Sequence, residues 1–152
     1  MITLKEGDQA PAIKALDHNG DVVTLKQFLG KKIILYFYPA DDTPACTNEA
    51  CNFRDHFPLL RKKGYEVIGV SPDSAISHQK FIQKYKLPFI LIADEHKKVI
   101  NDYGVWGLKK LYGREYMGIH RTTFVIDEKG RIEKIVRRVL SKIATEQVLK
   151  PK

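Results

Sequence analysis

The chain has 152 residues, of which 43% are hydrophobic and 29% charged, with a formal net charge of +8. This length suits one domain with one core, and the composition excludes disordered, collagen-like and coiled-coil proteins. The longest apolar run, Ile33–Tyr38, is far shorter than the ~20 residues that a membrane span requires, and Met1–Glu6 has no apolar signal-peptide core. We therefore expect a single domain over residues 1–152, a cytoplasmic location and no membrane contact.

The positive charge is concentrated in the second half of the chain. Residues 1–76 have nine Lys/Arg against ten Asp/Glu, whereas residues 77–152 have seventeen against eight. A basic face can attract nucleic acid or another polyanion. However, the basic residues are scattered among acidic ones, without a run of five like charges or an aromatic-rich RNA-binding motif. We therefore predict no nucleic-acid partner.

The first predicted elements are an N-terminal β-hairpin and a buried strand. An Asn-Gly turn at residues 19–20 separates the extended stretches Ala12–Leu16 and Asp21–Leu25. The stretch Lys32–Tyr38 is densely apolar and aromatic and ends before Pro39, which is typical of a strand buried on both faces. We expect this strand to be central in the sheet.

A helix is predicted to begin directly after that strand. Thr43 suits the N-cap position and Pro44 the first helical position. Pro58 is expected to interrupt the helix, and Gly64 to end it. The apolar residues that recur at helical spacing are Ala50, Phe53, Phe57 and Leu60.

The remainder of the chain alternates between strands and helices, which predicts an α/β sandwich with a mixed central β-sheet flanked by helices. In such sheets the functional site lies beyond the carboxyl ends of the central strands, where residues 39–51 are expected. The predicted strands are Tyr65–Val70, Phe89–Ala93, Thr122–Ile126 and Ile132–Arg138. The predicted helices are Ser74–Tyr85, Asp94–Tyr103 and Ile143–Leu149.

The two cysteines, Cys46 and Cys51, favour a catalytic, redox or metal-binding role, because two are too few for a disulfide scaffold. Cys46 would be the third helical residue, where unpaired backbone N–H groups and the helix dipole favour a thiolate. Full ionisation of a thiol of pKa ~8.5 raises its thiolate fraction at pH 7 by only roughly 30-fold. Any larger rate requires groups that orient the substrate and stabilise developing charge, such as a Thr hydroxyl, backbone amides and an Arg. The alternative for either cysteine is a small buried hydrophobe.

Other kinds of cysteine site fit the spacing less well. Cys46, Cys51 and His56 superficially match a zinc pattern, but on a helix they point about 140° apart and cannot converge on one ion unless the helix unfolds. A thioredoxin-type dithiol reductase would need C-x-x-C. A Cys-His hydrolase stays open, because the sequence does not select its base among His18, His56, His78, His96 and His120.

The segment Pro39–Cys46 resembles the P-x-x-x-T-x-x-C motif of the peroxiredoxins. Its continuation to Cys51 is similar to the Q-type subgroup, also called bacterioferritin comigratory protein, in which a second cysteine follows the first by five positions. Residues 7–11, 70–74 and 112–127 are similar to other segments of that family. The resemblance implies a thioredoxin-like fold and reduction of hydroperoxides without any cofactor, whether metal, haem or flavin.

The resemblance also implies different roles for the two cysteines. Cys46 falls on the peroxidatic cysteine, whose thiolate attacks the peroxide and becomes a sulfenic acid. Cys51 falls on the resolving cysteine, which condenses with that sulfenic acid to an intramolecular disulfide. Thioredoxin or a similar dithiol would reopen the disulfide. Arg121 falls on the catalytic arginine and, with the Thr43 hydroxyl, would hold the two peroxide oxygens.

Two further positions match the family. Pro39 falls on the proline of the motif, and Glu49 on an acid that in many members pairs with the arginine. Ala45 replaces the glycine that is common in the subgroup, and the tail after Arg138 departs from the usual pattern. The subgroup also implies a monomer.

The main alternative is a binding or chaperone-like module that has kept this scaffold, since a scaffold does not determine function. The presence together of Pro39, Thr43, Cys46 and Arg121 argues against it, because loss of any one would be the simplest sign of an inactive site.

Overall fold

A five-stranded mixed sheet organises the fold in the computed structural model, which describes residues 2–151 and leaves Met1 and Lys152 outside the described part. The strands are β1 (Lys14–Leu16), β2 (Val22–Thr24), β3 (Lys32–Phe37), β4 (Tyr65–Ser71), β5 (Ile90–Ala93), β6 (Trp106–Leu111), β7 (Arg114–Ile119), β8 (Thr122–Ile126) and β9 (Ile132–Val136). The helices are α1 (Pro44–Asp55), α2 (Phe57–Lys62), α3 (Ala75–Tyr85), α4 (Lys98–Asp102) and α5 (Ala144–Leu149), with 3-10 turns at Leu25–Phe28 and Ser141–Ile143.

The spatial order of the main sheet is β5-β4-β3-β8-β9. The pairs β3–β4 and β4–β5 are parallel, whereas β3–β8 and β8–β9 are antiparallel. The sheet is therefore mixed and β3 is its middle strand, which confirms the predicted α/β class and the central place of this strand. The predicted N-terminal hairpin is also confirmed, with β1 and β2 antiparallel and shorter than expected.

Two hydrophobic clusters lie on opposite faces of β3, because successive side chains of a strand point to opposite faces. Ile33, Leu35 and Phe37 pack with α4 and the N-terminal hairpin. Ile34 and Tyr36 pack on the other face with residues of α1, α2, α3 and α5. The predicted strand buried on both faces is therefore confirmed.

The helix predicted over residues 94–103 is wrong at its beginning. The helix α4 covers only Lys98–Asp102, and residues 94–97 form a turn. The Asp94 carboxylate is buried and accepts a hydrogen bond from the backbone N–H of Ile100 at 2.8 Å, while Lys97 is in the left-handed region with φ 61°. This carboxylate caps the short helix from four residues before it and prevents a regular helical start at Asp94.

The hairpin of β6 and β7 is absent from the sequence prediction. Its strands pair antiparallel from Trp106 opposite Ile119 to Leu111 opposite Arg114, and it turns at Tyr112-Gly113, where both residues have positive φ. Most of its side chains are exposed, so it has no continuous apolar pattern by which it could be predicted. Among the helices of residues 2–151, none combines the length and apolar character that crossing a bilayer requires.

Candidate active site

The junction between β3 and α1 forms one side of the site. Thr43 is the N-cap of α1, in an extended conformation (φ −97°, ψ 157°), and Pro44 is the first helical residue, as predicted. The Thr43 side chain does not cap the helix; its hydroxyl donates to the carbonyl oxygen of Ala40 at 3.0 Å. This leaves the hydroxyl oxygen with lone pairs that can accept a hydrogen bond from a substrate. The Thr43 side chain also accepts no hydrogen bond from the backbone N–H groups in the first turn of α1.

Cys46 is the third residue of α1 and is buried, with 1% of its surface exposed. The Arg121 Nη2 atom donates to its Sγ at 3.2 Å. These residues are 75 positions apart in the chain but meet because β3 and β8 are antiparallel, with Phe37 opposite Thr122. The residue before β8 thus lies near the residues that follow β3. The guanidinium cation stabilises negative charge on this sulfur.

Glu49, three residues after Cys46, is fully buried and pairs with the same arginine. Its Oε1 accepts a hydrogen bond from Arg121 Nη1 at 2.8 Å, and no hydrogen-bond partner of its Oε2 is found within residues 2–151. Burial raises the pKa of the Glu49 carboxyl to about 7, although Arg121 acts in the opposite direction. Burial lowers the pKa of Arg121, but the charges of Glu49 and Cys46 outweigh it and the net shift is upward. The arginine is therefore a fixed cation at this site.

Cys51 lies further along α1 and is half-buried. Burial raises the pKa of its thiol, Arg54 lowers it and Asp55 raises it, with a net upward shift. Both cysteines are free in this structure. Residues five apart in a regular helix have Cα atoms about 8.6 Å apart, whereas a disulfide allows at most ~6.8 Å. The structure therefore represents the reduced chain, in a conformation that cannot form the Cys46–Cys51 bond.

The structure brings some of the predicted residues into direct contact and others only near the site. Cys46, Glu49 and Arg121 form one hydrogen-bonded group. Thr43 lies at the same end of α1 but bonds to Ala40, and Pro39 is half-buried at the start of the loop that follows β3. The structure gives the positions of these residues, and their roles remain predictions.

The other cysteine chemistries gain no support from the contacts of Cys46. Within the described part of the chain, the group of side chains with metal-compatible spacing is Asp41, Asp73 and His78, which contains no cysteine. Its Asp41 and His78 atoms are already hydrogen-bonded to each other at 2.7 Å. Across residues 2–151, no histidine hydrogen-bonds to Cys46, as the base of a Cys-His hydrolase would.

Sequence reasoning missed the side chains that hold the loop before α1. The sequence predicts no contact of Asp41 or Asp42 with another element, and it offers His78 only as one of five possible bases. In the structure, Asp41 and Asp42 bind side chains of α3. No local pattern indicates this contact, because the partners are 36 to 43 residues away.

Comparisons with known proteins agree on one family. The AhpC/TSA family model matches residues 6–135. The chain is 46% identical over 138 residues to the peroxiredoxin Bcp of Bacillus subtilis (strain 168), covering 91% of this chain and 88% of that protein. It is 42% identical over 135 residues to the peroxiredoxin Bcp of Escherichia coli (strain K12), covering 89% and 86%.

Solved structures show the same fold. Peroxiredoxin Q of Xanthomonas campestris superposes with a TM-score of 0.87 at 30% identity, covering 97% of this chain and 94% of that one. A cysteine-to-serine variant of peroxiredoxin Q from Xylella fastidiosa gives a TM-score of 0.91 at 29% identity, covering 98% and 95%. The thioredoxin-like fold implied by the sequence resemblance is thus confirmed.

Proposed function

The chain belongs to the AhpC/TSA family and is a peroxiredoxin, a thiol-dependent peroxidase, and we propose that it works through a Cys46–Cys51 disulfide cycle. The observation that carries the proposal is the hydrogen bond from Arg121 to the Cys46 sulfur at 3.2 Å. The other terminal nitrogen of the same guanidinium, Nη1, donates to Glu49 Oε1 at 2.8 Å. A buried thiol bonded to a fixed cation at a helix start is suited to nucleophilic attack.

In the first step, the Cys46 thiolate attacks one peroxide oxygen. A sulfur–oxygen bond forms, the O–O bond breaks, and the leaving oxygen takes a proton to give water or an alcohol, so that Cys46 becomes a sulfenic acid. The Arg121 guanidinium and the uncapped N–H groups of the first turn of α1 stabilise the charge that develops on the leaving oxygen. The Thr43 hydroxyl oxygen accepts a hydrogen bond from the peroxide and orients it. Pro39 terminates the strand that leads to this loop.

In the second step, the Cys51 thiol condenses with the sulfenic acid. A disulfide forms and water leaves. Because both cysteines lie in one regular helix, the first turns of α1 must unwind before this bond can form. An external dithiol, thioredoxin or a similar protein, then reduces the disulfide through a mixed disulfide and is itself oxidised to a disulfide.

The proposed substrates are hydrogen peroxide and organic hydroperoxides. One similar solved structure, from Xanthomonas campestris, is described in terms of alkyl peroxide reduction activity, which supports the organic class. We further propose a single-domain monomer that acts in the cytoplasm.

The decisive experiment measures peroxide consumption by the purified chain with thioredoxin, thioredoxin reductase and NADPH. We expect turnover by the wild type and none by Cys46→Ser. If the wild type consumes no peroxide with any dithiol reductant, while its two thiols are shown to be reduced, the chain is a binding module on a peroxiredoxin scaffold and the proposal is wrong.

A further inference from the structure

The loop between β3 and α1 is attached to helix α3 by a buried charged cluster, and we propose that His78 is a positioning residue for the Cys46 site. The cluster consists of Tyr38, Asp41, Ser77 and His78, and we call it the Asp41 cluster. The proposal rests on the peroxidase function proposed above, because its main readout is the rate of the peroxide step.

Asp41 is the centre of the Asp41 cluster. Its Oδ1 accepts a hydrogen bond from the Tyr38 hydroxyl at 2.6 Å. Its Oδ2 accepts one from the Ser77 hydroxyl at 2.8 Å and faces His78 Nδ1 at 2.7 Å. The His78 side chain is fully buried and that of Asp41 is 5% exposed. These contacts fix the middle of the active-site loop against the first turn of α3.

The partners of the His78 ring fix its position. Its Nε2 lies 2.9 Å from the carbonyl oxygen of Ile92, which can only accept, so Nε2 carries a proton. Its Nδ1 faces the Asp41 carboxylate, which already accepts from Tyr38 and Ser77 and therefore also acts as an acceptor toward the ring. The ring is thus held between the Asp41 carboxylate and the Ile92 carbonyl oxygen.

The backbone of the loop is held by two further acidic side chains. The Asp41 N–H donates to Asp73 Oδ2 at 2.8 Å, and this carboxylate also accepts from the Ser71 hydroxyl at 2.7 Å. The Asp42 carboxylate accepts from Lys84 Nζ at 2.7 Å and from the Tyr85 hydroxyl at 2.6 Å. Two further charged side chains therefore hold this loop. Asp73, between β4 and α3, bonds to the Asp41 N–H, and Lys84, near the end of α3, bonds to Asp42.

The conformation of Asp42 shows that this attachment is needed. Its φ is 56°, in the left-handed region that residues other than glycine rarely adopt. Such a conformation persists only where surrounding contacts impose it. Thr43 follows directly as the N-cap of α1, and Cys46 is three residues further. The contacts of Asp41 and Asp42 with α3 therefore fix the residues that precede the N-cap of α1 and, through them, the position of Cys46 beside Arg121.

The Asp41 cluster also lies outside the segment that must unwind. It involves residues 38 and 41 of the loop, whereas the disulfide requires residues 46–51 to leave the helix. A cluster that stays intact keeps the loop in place during oxidation. After reduction, the helix then re-forms from a fixed N-cap with Cys46 again beside Arg121.

Two substitutions separate the functions of the two ring nitrogens. The amide of His78→Asn can replace the Nδ1 donor to Asp41, whereas that of His78→Gln can replace the Nε2 donor to Ile92. We expect His78→Gln to slow the peroxide step, measured as kcat/KM, by about tenfold or more, because Thr43 and Cys46 lose their fixed placement. We expect His78→Asn to recover a large part of that loss. His96→Gln, at an exposed histidine, is the matched control and should retain the wild-type rate.

A second measurement does not depend on a variant that folds. In the wild type, the nitrogen NMR spectrum of His78 should show a proton on Nε2, because this nitrogen faces a carbonyl oxygen that can only accept. An Nε2 atom without a proton would contradict this hydrogen bond to Ile92. Equal rates of the peroxide step for His78→Gln and wild type would overturn the positioning role. Equal losses of rate in His78→Gln and His78→Asn, in proportion to their losses of stability, would overturn it as well. Absence of peroxide turnover in the wild type would instead refute the proposed function, and it would leave the NMR result intact.

Discussion

The loop before α1 and the first two turns of α1 together hold the active-site residues, but they are attached to the protein in different ways. The loop is bound through the side chains of Asp41 and Asp42 to α3, and Asp41 also accepts a hydrogen bond from Tyr38 within the loop. In residues 44–51, the side-chain hydrogen bonds found in the described part of the chain come from Arg121, to Cys46 and Glu49. The loop is therefore the fixed part of the site, and the helix start is the part that can be released.

The second half of α1 is again firmly attached. The Asn52 side chain donates to the Lys142 carbonyl oxygen at 2.9 Å and accepts from the Thr145 N–H at 2.8 Å. Phe53 is fully buried, and Arg54 Nη1 donates to the Tyr85 carbonyl oxygen at 2.8 Å. The releasable segment is thus bounded on both sides, by Thr43 before it and by Asn52 after it. Ala45 is exposed, so its side chain adds no buried contact to this segment.

The largest expected effect comes from the two cysteines, which both lie in the releasable segment. Cys46→Ser should abolish peroxide turnover, because no sulfur nucleophile remains at the site. Cys51→Ser should still react once with peroxide, leaving a sulfenic acid that dimedone traps and that over-oxidises at high peroxide. Mass spectrometry of the treated variants distinguishes these states. A Cys46→Ser variant that keeps the single turnover while Cys51→Ser loses it would show that the roles are reversed.

The next effect concerns Arg121, which binds the releasable segment and stabilises charge in the reaction. Arg121→Ala or Thr43→Val should slow the peroxide step by about 10- to 100-fold, since a lost charged or oriented contact costs about 1.5–3 kcal/mol. Stopped-flow measurement of the reduced variants gives this rate. Alkylation by iodoacetamide is the control, because it reports the reactivity of the thiolate without a peroxide transition state. Equal proportional losses in both reactions would mean that Arg121 and Thr43 act only on ionisation of Cys46.

A smaller effect is a pH dependence of stability due to Glu49. Burial raises its pKa in the folded protein from the usual 4.5 to about 7, so the folded state binds more protons than the unfolded state between these values. The free energy of unfolding should therefore fall as pH rises through this window, by up to about 3 kcal/mol. Glu49→Gln should remove this dependence.

Urea unfolding of wild type and Glu49→Gln at pH 5 and pH 8 measures the effect. We expect the wild type to lose stability relative to the variant at the higher pH. If the wild type gains stability instead, the ion pair with Arg121 outweighs the cost of burial, and the carboxylate is the stable form of Glu49 throughout this range.

The smallest effect is confined to one segment. In the disulfide form, amide exchange should accelerate in α1, including the N–H groups of residues 52–55, whose helical acceptors are the carbonyl oxygens of residues 48–51. Exchange should stay unchanged from His56 onward, because Asn52 and Phe53 keep the end of α1 attached. Far-UV circular dichroism should show a slight loss of helicity. Equal exchange protection in a verified Cys46–Cys51 disulfide would refute the unwinding, and it would indicate that this segment is not a regular helix even when reduced.

Local patterns in the sequence were sufficient for the elements that determine the site. The apolar run at residues 33–38 identified the central strand, and the Thr43-Pro44 pair identified the start of α1 and hence the position of Cys46 in its first turn. These features follow from short-range physics, since burial on both faces requires an apolar strand and a helix start requires specific residues. The resemblance to the peroxiredoxins added Arg121 and Glu49, which periodicity alone does not distinguish from other charged residues.

Tertiary structure decided the rest, because the contacts concerned join residues distant in the chain. Antiparallel pairing of β3 with β8 brings Arg121 to Cys46, and packing of α3 on the sheet places His78 against Asp41. The helix prediction failed at Asp94 because a buried carboxylate bonds to the backbone of Ile100. A sequence pattern reports the conformation of neighbouring residues, whereas the contact of His78 with Asp41, the pairing of Glu49 and the bounds of the releasable segment depend on which groups the folded chain buries together.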